Sequence, residues 1–343
     1  MIKYLTIFFS TCLLICCSSP SSIQKEELDI NSESLLQAIS IVDSETVWIS
    51  GHDASFIRSE DGGKSWEEFT HPTIDSLQFR DIHAFSGDKV ILMSAGPGKM
   101  SRIFSFESDS IWSENYVMEN ENGFLDCFDF WDAKKGIAYG DSFDEYPFIL
   151  LTNDGGKNWQ RVISSNLPKA GKGEGGFAAS GTCVRTGADG KAWIATGASG
   201  NSRILITSDF GQSWQVIESP IIKGEAAGNT SISFKNEVGI VVGGDLQITS
   251  EHTDNCAFTT DGGHNWELAT QPITKGAFYG SSLTLYKKKY FAFASGPNGI
   301  DYSDNLGQSW NNLDTLNYWA IEFRGNIGYA SGTNGKVLKL TLN

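Results

Sequence analysis

Short apolar runs broken by polar turns recur along the chain. The first set is Ala38-Ile39-Ser40-Ile41-Val42, then Val47-Trp48-Ile49-Ser50-Gly51, then Ser55-Phe56-Ile57-Arg58. Runs this short, bounded by Gly, Asp and Ser, predict β-strands rather than helices. The glycine that ends the second strand returns as Gly96, Gly140, Gly197, Gly243, Gly296 and Gly332. The third strand runs into a polar octapeptide and a fourth strand begins at its Trp. That octapeptide is Ser59-Glu60-Asp61-Gly62-Gly63-Lys64-Ser65-Trp66, and the pattern Ser/Thr-x-Asp-x-Gly-x-x-Trp returns at 152–159, 207–214 and 259–266. Two looser copies put Asn305 at the Asp position of 303–310 and Glu107 at that of 105–112. The six tryptophans are spaced by 46, 47, 55, 52 and 44 residues. A period of that size predicts a repeat architecture.

The octapeptide has a physical logic. A short Asp side chain accepts hydrogen bonds from the backbone just after it, and Gly supplies the positive φ of the tight turn. The Trp is expected to start the next strand and to bury its ring against the neighbouring blade. Asp61/Trp66, Asp154/Trp159, Asp209/Trp214, Asp261/Trp266 and Asn305/Trp310 are the expected structural pairs. The motif resembles the Asp-box, or BNR repeat, which occurs in catalytic and non-catalytic propellers alike and therefore implies a fold and no activity. Seven second-strand glycines stand against six boxes, because Ile327 to Gly332 and Lys336 to Leu340 repeat the pattern without a seventh box. A three-stranded last blade would leave an open edge. The expected fold is all-β: one seven-bladed β-propeller of four-stranded blades over residues 23–343, closed by an N-terminal strand within Ile23 to Ile30.

In such blades the box turns share one face, and the strand 2–3 turns and blade-to-blade links share the other. The longest irregular segments, Asp141 to Pro147, Leu167 to Gly176, Ile221 to Asn229 and Asp245 to Asn255, all belong to the second class. Long loops in a compact array commonly carry binding sites. Candidate ligand-binding residues are accordingly Arg80, Asp126, Asp141, Glu174, Asp245 and Trp319, with Asp126, Asp141 and Glu174 the candidates for acid–base chemistry if the protein is an enzyme.

Composition then narrows the function. Asp and Glu number 41 against 26 Lys and Arg, a formal charge of −15, which excludes a phosphate-backbone partner as the main expectation. Residues 1–16 read as an export signal, Leu14-Ile15-Cys16-Cys17 looks like a lipobox with Cys17 the lipidated residue, and 17–22 read as a flexible tether. Cys127 and Cys183 fall at equivalent places in adjacent repeats and are expected as small buried residues, a disulfide being the alternative; Cys256 is left over. Neither a metal site nor a cofactor fingerprint is expected, since Cys-x-x-Cys, the Walker ending and the nucleophile elbow are missing.

Three fragments extend the resemblance: Phe128 to Asp141, Gly173 to Thr182 and Gly239 to Asp245. Together they look like bacterial exported propellers similar to photosystem II stability/assembly factors, over roughly residues 35 to 342. The resemblance implies a non-catalytic propeller that binds a partner protein; taken with the lipobox, the expectation is a monomeric, lipid-anchored envelope protein, at the outer membrane, that binds a protein or glycan on its loop-rich face. The basic patch of the assembly factors is not evident in this acidic chain. A sialidase-like or other glycoside hydrolase is the alternative, although the Phe/Tyr-Arg-Ile-Pro motif is replaced by Phe79-Arg80-Asp81-Ile82. Of the arginines, Arg80 is expected near the channel, with Arg185 or Arg203 the others that could approach it. An oxidoreductase, as such homologues are often labelled, is the third reading.

Overall fold

The computed structural model describes residues 22–74, 76–107 and 111–343. The export signal, Cys17, and Ser108 to Ser110 of the second octapeptide lie outside the described residues. The strands form seven four-stranded antiparallel sheets. Blades 1 to 6 take Leu36–Thr70, Phe79–Val117, Leu125–Arg161, Val184–Glu218, Ala227–Leu268 and Gly280–Asp314 in unbroken order. Blade 7 combines Tyr318–Arg324, Ile327–Gly332 and Val337–Leu342 with the N-terminal strand Ile23–Leu28. Ile23 lies opposite Leu342 and Leu28 opposite Val337, so the ring closes as the sequence predicts.

Strands that are apolar on both faces suit this arrangement, because each blade is packed between two others. Every residue of Val47–Gly51 is buried. Seven apolar clusters result, one at each junction of neighbouring blades. The junction of blades 1 and 2 contains Trp48, Phe56, Phe79, Leu92 and Phe104. That of blades 7 and 1 contains Leu36, Ile49, Tyr329 and Val337, with Leu28 and Trp66 against them. Burying each such side chain contributes about 1.5–3 kcal/mol.

At one matching register position the inner strand of each blade carries a polar side chain: Ser40, His83, Asp129, Arg185, Ser233, Ser282 and Glu322. Several of them latch the next blade by accepting a backbone N–H from its inner strand. Ala84 donates to Ser40 Oγ at 2.9 Å, Thr186 to Asp129 Oδ2 at 2.8 Å, Leu283 to Ser233 Oγ and Phe323 to Ser282 Oγ at 2.9 Å.

The octapeptides take one geometry. In the first, Gly63 N donates to Ser59 Oγ at 2.8 Å, Ser65 N and Oγ donate to the Asp61 carboxylate at 2.9 and 2.6 Å, and Trp66 Nε1 donates to Gly63 O at 3.1 Å. The Ser65 hydroxyl and N–H hold the Asp61 carboxyl down at about 2. The same bonds recur around Asp154, Asp209 and Asp261. Gly62 and Gly63 sit at φ 73° and 95°. Phe210 and Leu306 accept the positive φ that Gly62 takes in the first box.

The box tryptophans depart from expectation in two respects. None of Trp66, Trp159, Trp214, Trp266 and Trp310 starts a strand. The fourth strands begin one residue later, at Glu67, Gln160, Gln215, Glu267 and Asn311. The Trp still belongs to the turn, because its indole folds back onto it: Trp159 Nε1 donates to Gly156 O at 3.0 Å, Trp214 Nε1 to Gly211 O at 3.1 Å and Trp266 Nε1 to Gly263 O at 2.9 Å. At the sixth box Asn305 keeps the turn, and the Trp310 indole turns instead to Thr270 O at 3.0 Å.

Burial of the rings is also uneven. Each packs at the junction with the preceding blade, but only Trp159 and Trp310 are buried there. Trp66, Trp214 and Trp266 are half-buried and lie against the edges of their clusters. All five precede the outer edge strand of a sheet, so each ring is covered only as far as the preceding blade reaches over it. Full burial of all five rings is therefore corrected to partial burial in three.

Gly62, Gly155 and Gly262 donate to Glu45, Lys134 and Glu237 in the strand 1–2 turns, which places those turns on the box face. The blade-to-blade links and strand 2–3 turns form the opposite face, where Gly175 and Gly197 bond to each other. Loops elaborate that face at residues 162–183 and 246–255, in blades 3 to 5. Asp141 to Pro147 is not an irregular loop. It is a hairpin extension, with strands Gly136–Phe143 and Tyr146–Thr152 joined by Asp144-Glu145 at φ 59° and 65°. Two consecutive left-handed residues make the tight turn whose twist matches the strands. As the fourth strand of its blade, Ile23–Leu28 starts on the box face, where Asn343 N donates to Ser22 O at 3.1 Å.

Deleting residues 22–28 exposes the edge of Val337–Leu342 and uncovers part of the blade 7–1 cluster. A lower unfolding midpoint and concentration-dependent association are expected, measured by calorimetry and size-exclusion light scattering.

Candidate functional site

The loop-side end of the axial channel gathers four of the six predicted residues. Asp126, 1% exposed, stands beside Asp141 closely enough for the two carboxyls to act on each other, and its Oδ2 is buried without a hydrogen-bond partner. Burial, and then the Asp141 charge, push Asp126 well above the usual carboxylate range; burial raises Asp141 as well. Two buried carboxyls this close disfavour ionising together. Arg80 lies close enough to act electrostatically on Asp126, but its Nε bonds Gln78 Oε1 at 2.9 Å and its Nη1 bonds Ala178 O at 3.2 Å.

Backbone covers these acids. Gly176 N donates to Asp141 Oδ1 at 3.1 Å. A Cβ at Gly175 would lie 2.0 Å from Asp141 Oδ1, and one at Gly176 would lie 2.7 Å from Asp126 Cγ. Only glycine lets the loop approach this closely. Glu174, also 1% exposed, is engaged by the Arg203 guanidinium through both oxygens, by Thr196 Oγ1 at 2.5 Å and by Gly171 N at 2.7 Å. Its role here is to anchor the loop.

The segment that follows crosses the channel. Ala178, Ala179, Ser180 and Thr182 are buried, and they reach most of the ring. Gln37 of blade 1 and Arg80 of blade 2 donate to Ala179 O and Ala178 O. Ser180 Oγ donates to Tyr279 O at 2.7 Å beside blade 6, and a chain of hydroxyl contacts runs Ser180–Thr182–Ser231–Ser281 at 2.6, 2.6 and 2.8 Å. Residues 177–182 thus form a plug. Immediately after it, Cys183 is joined to Cys127 in a disulfide with the Cα atoms 5.8 Å apart. The sequence reading of two small buried residues is corrected in that respect: both are fully buried, and bonded. Cys256 is free and buried.

Trp319 and Asp245 stand apart from the acids. The Trp319 ring meets Tyr279 edge-on at 4.9 Å, and Asp245 caps its own turn by accepting from Gln247 N at 2.9 Å.

The box-side mouth of the channel holds a second polar cluster, of which only Arg185 figured in the sequence reading. Arg185 of blade 4 forms an ion pair with Glu322 of blade 7, spanning the ring. This bar separates two cavities of about 250 and 230 Å³ that share Asp129, Arg185, Glu322, Phe323 and Arg324 as lining. His83 Nδ1 approaches Asp129 Oδ1 at 3.4 Å. Burial works against the Asp129 charge, yet His83, Arg185 and the Thr186 N–H hold its carboxyl below the usual range. Burial lowers Arg185 and is outweighed by Glu322 and Asp129, so its guanidinium is held more firmly charged. The signal was present in sequence as a polar residue at one matching place in each inner strand.

Fold and site define a seven-bladed β-propeller with a plugged axial channel. Among solved structures, YCF48 bound to a D1 peptide superposes with a TM-score of 0.63 at 16% identity, covering 94% of this chain and 97% of that one. YCF48 from Cyanidioschyzon merolae gives 0.62 at 15%, covering 92% and 98%. A catalytically inactive virginiamycin B lyase from Staphylococcus aureus with quinupristin gives 0.65 at 16%, covering 94% and 100%. These likenesses show the fold. No family model and no curated protein sequence matches the chain.

Two outcomes follow. Because the folded state keeps a proton on Asp126 that the unfolded chain releases above about pH 3.9, stability falls as pH rises through that interval, by about 1.4 kcal/mol per pH unit at most. Asp126→Asn removes this slope. The variant should gain on the wild type progressively as pH rises above about 4 and show no pH-dependent gain below it, in urea titrations. Replacing Cys127 and Cys183 by Ser should cost about 2–4 kcal/mol and raise hydrogen exchange within residues 177–182.

Proposed function

We propose that the protein is a non-catalytic propeller that binds a protein partner on its loop-rich face, lipid-anchored in the cell envelope through Cys17. The observation that carries this reading is where apolar surface remains. Six large apolar side chains are exposed among the described residues: Met100, Ile111, Ile163, Leu268, Ile273 and Leu316. Met100 lies in a strand 2–3 turn and Ile163, Ile273 and Leu316 lie in blade-to-blade links, so four of the six belong to the loop-rich face. Exposed apolar residues concentrated on one face suit a protein partner.

The acids point the same way. General acid–base chemistry needs carboxyls that reach a substrate, whereas Asp126 is sealed beneath the glycine-rich loop and Glu174, within that loop, is buried against Arg203 and Thr196. The seventh-blade closure and the plug leave the faces, rather than the channel interior, as recognition surfaces. The YCF48 structure with a D1 peptide is that of a propeller of this fold with a bound peptide, which supports the class of partner. Export is supported by the apolar N-terminal stretch and by a disulfide of the kind that persists in oxidising compartments.

The test is site-specific photocrosslinking of the full-length lipoprotein in cells, with probes at Ile163, Ile273 and Leu316 against a box-face probe at Lys64. One protein captured by the first three positions and not by Lys64, and lost on Ile273→Glu, is the expected result. Capture confined to Lys64 would refute the assignment of the face. Turnover of any glycoside, abolished by Asp126→Asn in a folded variant, would overturn the non-catalytic reading.

A further inference from the structure

We propose that residues 171–182 are a strap that lifts off the loop-side end of the axial channel as pH rises. The strap is held unlike the rest of the ring. It lies in the link between Gln160–Arg161 and Val184–Thr186 and belongs to no strand, the isolated bridge of Gly175 to Gly197 aside. Side-chain chemistry fastens it across the channel. Arg203 and Thr196 donate to Glu174, Gly176 N donates to Asp141, and Arg80 and Gln37 donate to the carbonyls of Ala178 and Ala179. Gly173 and Gly181, each at φ 66°, stand toward its two ends.

Both ends rest on buried carboxyls, and the two supports differ. Gly181 lies over Asp81, where an added Cβ would stand 2.5 Å from Oδ1. Burial raises Asp81 well above the usual carboxylate range, yet it receives Ile82 N and Phe128 N at 2.8 and 2.7 Å, one on each oxygen. Both donors belong to blades 2 and 3, so titration of Asp81 breaks no bond of the strap. The Cys127–Cys183 disulfide follows, which makes this end the hinge. Gly175 and Gly176 cover Asp141 and Asp126 instead. There the Gly176 N–H serves Asp141, and Asp126 Oδ2 is buried without a partner.

Ionisation at the second end opposes closure in two ways. Burial and the neighbouring charge keep Asp126 protonated above the ordinary range, and burial raises Asp141 too. Charging the sealed pair therefore requires water to reach it, and the backbone of the strap is what keeps water out. An ionised Asp126 also competes for Arg80, whose charge acts on it while the guanidinium donates to Ala178 O of the strap. The other titratable groups around the pair do not oppose this. Tyr139, on the adjoining strand, is held protonated by burial, and Glu174 is engaged by Arg203. His52, beside Arg80, is held below its usual range by burial and by the Arg80 charge. The sign follows: the closed strap is favoured while the pair keeps its protons and is lost as pH rises through their release. The device works whichever partner the loop-rich face binds.

Hydrogen exchange of the full chain tests the proposal, read by mass spectrometry from about pH 5 to about pH 9, above the ordinary carboxylate range. Rates are corrected for intrinsic exchange at each pH. Protection of residues 175–180 should fall by about tenfold per pH unit where opening releases one proton, while Leu125–Phe130 and Val184–Thr186 keep theirs. Asp126→Asn, which cannot ionise, should hold that protection level across the range. Gly176→Ala, whose Cβ would stand 2.7 Å from Asp126 Cγ, should lower it already at the acid end. Wild-type protection that does not change with pH, or a fall shared equally by the blade strands, would overturn the assignment. So would an undiminished fall in the folded Asp126→Asn variant, or a Gly176→Ala variant as protected as the wild type.

Discussion

Seven sheets standing around an axis do not share a common hydrogen-bonded ladder, so something other than strand pairing must hold neighbours in register. In this protein it is a polar side chain on an inner strand that accepts an N–H from the inner strand of the next blade. Ser40, Asp129, Ser233 and Ser282 all do this at 2.8–2.9 Å. The bonds lie in the low-dielectric centre of the ring, where an orphaned N–H would be costly. Apolar packing between blades supplies most of the cohesion. The inner latches decide how the blades meet, and therefore which side chains look into the channel.

Where an inner residue is charged instead of being a serine, the same position acquires a second role. Asp129 latches Thr186 and also faces His83 and Arg185. Arg185 and Glu322, from opposite sides of the ring, satisfy each other across the axis. The channel is consequently closed twice, by this ion pair at one end and by the buried backbone of residues 177–182 at the other. Both closures come from blade 4 and its preceding link, which makes that blade the point where the two ends of the axis are mechanically connected.

The fold was legible because it is periodic. Local rules for turns and alternation repeat at a spacing that cancels their individual ambiguity, so blade number, closure by Ile23–Leu28 and the placing of the long links could all be read. The octapeptide turn reads well for the same reason: its bonds lie within eight residues. How deeply Trp159, Trp214 and Trp266 sit is another matter, because it depends on what the preceding blade offers at its rim. The site was legible only in part. Asp126, Asp141, Glu174 and Arg80 do converge, yet their burial depends on a glycine run brought in from an adjacent link, a long-range contact that no local pattern encodes. The Cys127–Cys183 bond is of the same kind, since residues 56 apart meet only after two blades have packed. His83, Asp129, Glu322 and Arg324 escaped notice because each looks like an ordinary polar residue in a strand until the repeats are laid over one another.

The N-terminal strand carries a consequence for how the molecule stands. Ile23–Leu28 begins on the box face, so the chain that precedes it joins the disc on that side. Five residues separate Cys17 from Ile23, and even fully extended they span at most about 20 Å. With a lipid on Cys17, the disc would hover close to the bilayer with its box turns downward. The channel mouth holding Arg185 and Arg324 would look into the headgroup layer, and the loop-rich face would be turned outward like an open palm.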